Sequence, residues 1–215
     1  MSPPRPVRDV EALRADLLAH AKDVIARDGV DGLTMRALAM EAGTAVGLSY
    51  KAFTSRDELL WELTWRSLVD LARRLDDWAA RTGGELGERL MEFTDIHFAS
   101  VAPTLVGHLA HGSRGEEVFR EAVNAGITRS WATVMAEFLE ARQRDGDVRA
   151  DVDVEAFAYI LTAAMHHVLV AEGPFETPDR STLARYFTSI AAQITGPRVT
   201  ADETRARAEL PVGDA

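Results

Sequence analysis

The chain of 215 residues has no cysteine, so disulfides, thiolate nucleophiles and thiolate metal centres are excluded outright. Lysine is almost missing too: Lys22 and Lys51 stand alone, and arginine supplies every other basic side chain. No strand-like alternation of useful length and no internal repeat occurs. The apolar run around Leu161 to Ala171 is interrupted by His166 and His167 and is too short to span a bilayer. Met1 to Val10 lacks the apolar centre of a signal peptide, so a cytoplasmic location and no membrane partner are expected. A nucleophile elbow, a phosphate loop, GxGxxG and HExxH are all absent, which argues against an enzyme and against a cofactor. Asp76-Asp77 and Glu116-Glu117 read as solvated helix faces, and His97, His108 and His111 match no established ligand spacing, so no metal site is expected.

What is present is ordinary for a soluble globular protein: 47% hydrophobic and 27% charged residues, enough for one or two domains with a sizeable core. Gly and Pro punctuate a series of helical patterns, so the fold class is all-α, with about nine helices. The most informative stretch is residues 31 to 60. Thr34 is a candidate N-cap with Glu41 later in the same short helix, and Met35, Leu38, Ala39 and Ala42 form its apolar stripe. Gly43 stops that helix, Thr44 can cap a second one running through Tyr50, and Phe53 returns to the core. A new helix starts at Ser55, with Asp57 and Glu58 in its first turn. The spacing is that of a helix-turn-helix, whose second helix can lie in a DNA major groove.

These residues resemble the TetR family of bacterial repressors. The match is carried by Thr34, Met35, Arg36, Leu38, Ala39, Ala42, Gly43, Gly47, Tyr50, Phe53, Ser55, Arg56, Leu59 and Leu60. The helix before it fits as well, with Leu13, Leu17, Leu18, Ala21, Val24 and Ile25 in one stripe that Gly29 breaks. The resemblance covers roughly residues 10 to 60. Two slots depart from the family pattern: Leu48 and Ser49 stand as though a polar and an apolar residue had exchanged places.

The domain organisation follows: a flexible arm at 1–9, a three-helix DNA-binding domain at 10–55, an effector-binding and dimerisation domain at 56–195, and a mobile tail at 196–215. The arm carries Arg5 and Arg8, which could reach a backbone or minor groove. On the second helix, the face opposite the core presents Ala45, Val46, Leu48 and Lys51 to base edges, while Thr44 and Tyr50 can donate to phosphates. The resemblance adds Thr34 and Gly47 to this set, and matches Arg36 and Arg56 to family phosphate clamps. The net charge of −10 lies outside this head: residues 1–55 carry seven basic and seven acidic side chains, residues 56–215 carry 17 and 27. A neutral head implies modest affinity for random DNA and a need for two heads acting together.

The later helices are read as Arg56 to Arg81, Leu86 to Val101, a short segment to Leu109, one long helix from Glu116 to Arg144, Val154 to Ala171, and Asp179 to Thr195. Aromatic walls with a few polar groups suit a small-molecule cavity. Inward helical spacing selects Ala72, Phe93, His97, Trp131, Met135, Phe138 and His166 for it, and their chemistry suits an apolar or aromatic effector. The last two helices carry more apolar surface than a peripheral pair needs, which marks Phe157, Leu161, Met165, Val168, Leu183, Phe187 and Ile190 as a dimer interface. The resemblance implies that this pair forms a four-helix bundle with its mate. The expected protein is therefore a homodimeric regulator of a pseudo-palindromic double-stranded operator, repressing until a small effector releases it. The alternative is an all-helical adaptor, or a small-molecule-binding protein that has lost specific DNA binding.

Overall fold

In a computed structural model, residues 8–81, 83–110, 115–124, 126–170 and 176–196 are described. Most of the arm, with Arg5, and the tail beyond Gly196 lie outside the described residues, as does His111. The described residues form ten helices: α1 (Arg8–Gly32), α2 (Met35–Glu41), α3 (Val46–Ala52), α4 (Arg56–Ala79), α5 (Leu86–Phe98), α6 (Ala102–Ala110), α7 (Gly115–Asn124), α8 (Trp131–Arg144), α9 (Val154–Val170) and α10 (Arg180–Ile194). The only extended pairing among them is an isolated antiparallel bridge between Val148 and Thr195.

The count exceeds nine because the stretch read as one helix from Glu116 to Arg144 is two. Gly126 takes a left-handed φ of 85°, its N–H and that of Ile127 return to the Val123 and Ala122 carbonyls, and Ser130 then caps α8 by accepting the Thr133 N–H at 3.1 Å. Apolar periodicity carried across this break misled the assignment, and Val123, an apolar residue of α7, is exposed.

The chain divides into two compact units, Met1–Arg74 with Asp95–Thr128, and Leu75–Thr94 with Arg129–Ala215. In the first, α1 buries Leu17, Leu18, Ala21, Val24 and Ile25 against Leu38 of α2, Phe53, Leu59, Leu60 and Leu63 around the start of α4, and Leu105 of α6. Gly29 interrupts α1 as its sequence suggested, with φ 73° and ψ 176°. The entry to α4 is fastened by charge. Ser55 Oγ accepts the Glu58 N–H at 3.1 Å, and the Glu58 carboxylate accepts the Thr54 N–H and hydroxyl at 2.7 and 2.6 Å.

The second unit is built on an aromatic cluster. Trp78 lies 4.9 Å from Phe93 and 4.3 Å from Phe138, centroid to centroid. The guanidinium of Arg89 sits over both Trp78 and Phe138 and donates to the backbone carbonyls of Trp78 and Arg81, while Trp78 Nε1 donates to the Arg89 carbonyl at 3.1 Å. Burial pushes this guanidinium below its ordinary pKa, against an opposing pull from Glu92; it stays charged in this cage. The helices α8 and α9 pack on one another, and the Arg149 N–H donates to the Ile194 carbonyl at the end of α10.

Two outcomes follow for stability. Arg89→Ala leaves the buried Trp78 carbonyl and the part-buried Arg81 carbonyl without their donor while Glu92 keeps Arg81, and should lower stability by about 1 to 3 kcal/mol, read from the urea midpoint. In the first unit, the Thr54 hydroxyl and N–H, together with Arg14, hold the Glu58 carboxyl below its ordinary value near 4.5. Its folded pKa being the lower one, its contribution is complete above the unfolded value and is lost as pH falls through the folded value. Thermal melts taken from pH 6 down to pH 3 should therefore show a smaller acid loss in Glu58→Gln than in the wild type.

Candidate nucleic-acid interface

The site begins at the turn between α2 and α3. Thr34 caps α2 by accepting the Ala37 N–H at 3.0 Å. At the other end, Gly43 adopts φ 60°, its N–H returns to the Met40 carbonyl and the Thr44 N–H to the Ala39 carbonyl, so the two orphan carbonyls are satisfied in a Schellman turn. Nothing crowds Gly43; it is the left-handed backbone that calls for glycine there. Thr44 does not cap α3 as its sequence position suggested. The N-cap is Ala45, with no side-chain hydrogen bond, and the half-buried Thr44 hydroxyl has no partner among the described residues.

The helix α3 turns Ser49 and Ala52 inward, with Phe53 fully buried after it, and turns the remaining residues outward. Val46, Leu48 and Tyr50 are 36, 41 and 54% exposed, and Ala45, Gly47 and Lys51 are exposed with them. Thr34 and Arg36, around the start of α2, are exposed as well. Arg36 and Lys51 make no ion pair among the described residues, so two uncommitted cations accompany the apolar face of α3. Met40, on the outer face of α2, is 77% exposed and was missed, although its position off the Met35, Leu38, Ala39 and Ala42 stripe was readable.

Two arginines hold this arrangement from behind. Arg14 of α1 donates to the Ala52 carbonyl at 2.5 Å, to Glu58 at 3.0 Å and to Glu62, and stacks 4.5 Å over the Phe53 ring. It joins the C-terminal end of α3 to both α1 and α4. Arg56 donates to the Leu33 and Val30 carbonyls at 2.6 and 2.7 Å, fixing the α1 to α2 connection. Two of its five donors are thus committed to the fold, which makes it a weaker phosphate candidate than Arg36. Arg14 had no signal in the sequence, since a cation beside an apolar stripe reads as a solvated residue.

The residues selected for an effector cavity fall in both units. Ala72 and His97 belong to the first unit, and the other five to the second. There, Phe93 and Met135 line a cavity with Leu90, Thr94, Leu161, Met165 and Phe187. Its volume is about 10 Å³, room for one water at most. Phe138 packs on Trp78 and also reaches a surface cleft of about 290 Å³ between Asp76, Ala79, Ala80, Arg129 and Glu137. Trp131 is half-buried with the exposed His166 ring 5.9 Å from it.

The residues selected for dimerisation differ in their exposure within one protomer. Leu161, Met165, Leu183 and Phe187 are buried inside the protomer, and Phe157, Val168 and Ile190 are half-buried. The outward apolar groups of the same helices are Tyr159 and Ile160 on α9, 69 and 66% exposed, and Tyr186 on α10, 47% exposed. On α9 the few polar groups, Glu155, His166 and His167, are exposed on the same side as Tyr159 and Ile160, but apolar residues surround them and blur the orientation in the sequence.

Residues 17–63 match the family model described as bacterial regulatory proteins, tetR family. The chain matches no curated protein by sequence. Among solved structures it is similar to a TetR-family transcriptional regulator from Cytophaga hutchinsonii, at 14% identity and a TM-score of 0.61, covering 90% of this chain and 100% of that one. It is also similar to the ketosteroid transcriptional regulator KstR2 of Mycobacterium tuberculosis, at 22% identity and a TM-score of 0.56, covering 86% and 95%. A third similar structure is a gamma-butyrolactone receptor described as an ArpA-like protein, at 20% identity and a TM-score of 0.54, covering 93% and 97%. Among the described residues no helix is long and apolar enough to cross a membrane.

The buried Ser49 hydroxyl has no hydrogen-bond partner among the described residues, in contrast to Thr64, which donates back to the Leu60 carbonyl. Ser49→Ala removes that desolvated group without touching the outer face, so the melting temperature should rise by the equivalent of about 1 kcal/mol, with DNA binding unchanged.

Proposed function

We propose that this chain, whose residues 17–63 match the tetR family model and whose fold is that of TetR-family regulators, is a dimeric repressor of a pseudo-palindromic operator, released by a small apolar or aromatic effector. The observation that carries the reading is the outward face of α3: Val46, Leu48, Tyr50 and Lys51 exposed on a helix whose other face is locked into the core. In the proposed complex α3 enters the major groove, Arg36, Lys51, Tyr50 and Thr34 hold phosphates, and Val46 and Leu48 meet thymine methyl groups. Methyl contacts discriminate less than bidentate polar ones, so DNA shape supplies part of the selectivity.

A single neutral head binds random DNA weakly, and a second copy supplies the rest. Tyr159, Ile160 and Tyr186 give α9 and α10 an outward apolar surface suited to an isologous contact. Two heads about 34 to 36 Å apart then read successive major grooves on one side of the duplex.

The effector is proposed to enter the second unit beside Phe93 and Met135, where the lining is apolar apart from Thr94. Drug-sized ligands need about 300 to 1,000 Å³, so a cavity of this size must open to admit one. Effector binding thereby selects an opened conformation, and α4, whose residues belong to both units, is the element through which the change passes to the heads. Coupling of about 1 to 3 kcal/mol suffices to weaken operator binding 5- to 150-fold. The printed names of two similar structures, a ketosteroid regulator and a gamma-butyrolactone receptor, agree with a ring-containing, largely apolar ligand class. A second reading, a ligand-binding protein without specific DNA recognition, is favoured by the run Ala45, Val46, Gly47 and Leu48, which offers bases no polar side chain.

A gel shift of the full chain against the DNA flanking its own gene separates the two. A discrete band that competitor DNA does not remove, lost in Tyr50→Ala, supports the repressor; Arg36→Ala should weaken binding to all sequences and reduce the salt slope by about 1. Absence of any specific band favours the second reading. Ile160→Asp should convert a dimer into monomers in sedimentation, and an unchanged dimer would move the interface elsewhere.

A further inference from the structure

We propose that the head carries a site for a divalent first-row transition ion formed by His20, Asp23 and Glu41. His20 and Asp23 stand three residues apart on one face of α1, and Glu41 is the last residue of α2. One ligand atom from each of the three lies within 4.8 Å of the other two. Two donors bound to one ion at 2.0 to 2.2 Å lie about 3 to 4 Å apart, so small side-chain rotations close the set without backbone movement.

His20 and Glu41 are half-buried and Asp23 is exposed, so the set sits at the edge of the head, open to an ion from solvent. Glu41 is half-buried, and its Oε2 accepts from Arg27 at 2.9 Å, which orients the carboxylate and leaves Oε1 for an ion. Asp16 continues the same face of α1 one turn earlier, with its Oδ1 3.9 Å from His20 Nε2, too far for a hydrogen bond but near enough to join as a fourth donor. One imidazole with two or three carboxylates is an N/O set suited to zinc or manganese, with water in the remaining positions. This departs from the expectation that the chain has no metal site. That expectation weighed His97, His108 and His111; the trio here unites two separate helices, which no sequence spacing displays.

An ion held there ties the middle of α1 to the end of α2, one residue before the Ala42 C-cap and the Gly43 turn that launches α3. Because the unfolded chain separates Glu41 from the other two, the ion favours the folded head. The inference does not rest on the DNA reading and would survive its failure.

The test is calorimetric titration of the chelator-stripped full chain with zinc chloride, and separately manganese chloride, alongside thermal melts. One ion per chain, a raised melting temperature, and affinity at least tenfold weaker in His20→Ala and in Asp23→Asn are expected, with His108→Ala binding as the wild type. Melts of each variant in chelator establish that it folds; Asp23 is exposed, so its substitution leaves the core intact. No saturable binding by either ion, or binding that persists in both His20→Ala and Asp23→Asn, overturns the proposal.

Discussion

A helix of seven residues has no stability of its own, and α3 exists only because its neighbours hold it. Nucleation consumes most of what so short a helix gains, and no side chain caps its start. What fixes it is burial of Ala52 and Phe53 in the core of the first unit, the Schellman turn at Gly43 on one side, and the Arg14 clamp on the Ala52 carbonyl on the other. The outer face is thereby released from any structural duty, so Val46, Leu48, Tyr50 and Lys51 are available for recognition. Arg14 and Arg56 illustrate the division of labour among cations: both are spent on backbone carbonyls within the head, while Arg36 and Lys51 are not.

The head was legible in the sequence because its signals are local. A threonine three residues before the N–H it caps, a glycine at a left-handed position and an apolar stripe at helical spacing each constrain only their near neighbours. These gave Thr34, Gly43 and the boundaries of α2 and α4 with little error. Features that depend on contacts distant in sequence were not legible. The Arg14 clamp joins residues 38 to 48 positions apart, and the Arg56 tether joins residues 23 and 26 positions apart. Thr44 was read as a cap by residue type, but the chain enters α3 one residue later, leaving its hydroxyl beside the turn.

The second unit was harder to read, for a physical reason. A polar stripe orients a helix, and that of α9 is thin, carried by Glu155, His166 and His167: Phe157, Leu161 and Met165 turn inward while the equally apolar Tyr159 and Ile160 turn outward. Composition alone could identify excess apolar surface but not which side carried it. Similarly, large apolar residues at inward spacing identified Phe93, Met135 and Phe138 as interior. Whether an interior is close-packed or hollow depends on side-chain fit, and here Trp78, Phe93, Phe138 and the caged Arg89 fill it. Under the proposed function the effector must select a rarer, opened form, because the tight packing itself sets the energy gap that it has to overcome.

The paired presentation of α3 to duplex DNA is tested most directly by hydroxyl-radical footprinting of the full chain on the DNA beside its gene. Two protected stretches about one helical turn apart on the same face of the duplex, related by a two-fold axis and both lost on Tyr50→Ala, are expected. A uniform, position-independent protection, or a footprint that persists unchanged in Tyr50→Ala, would contradict recognition through this helix.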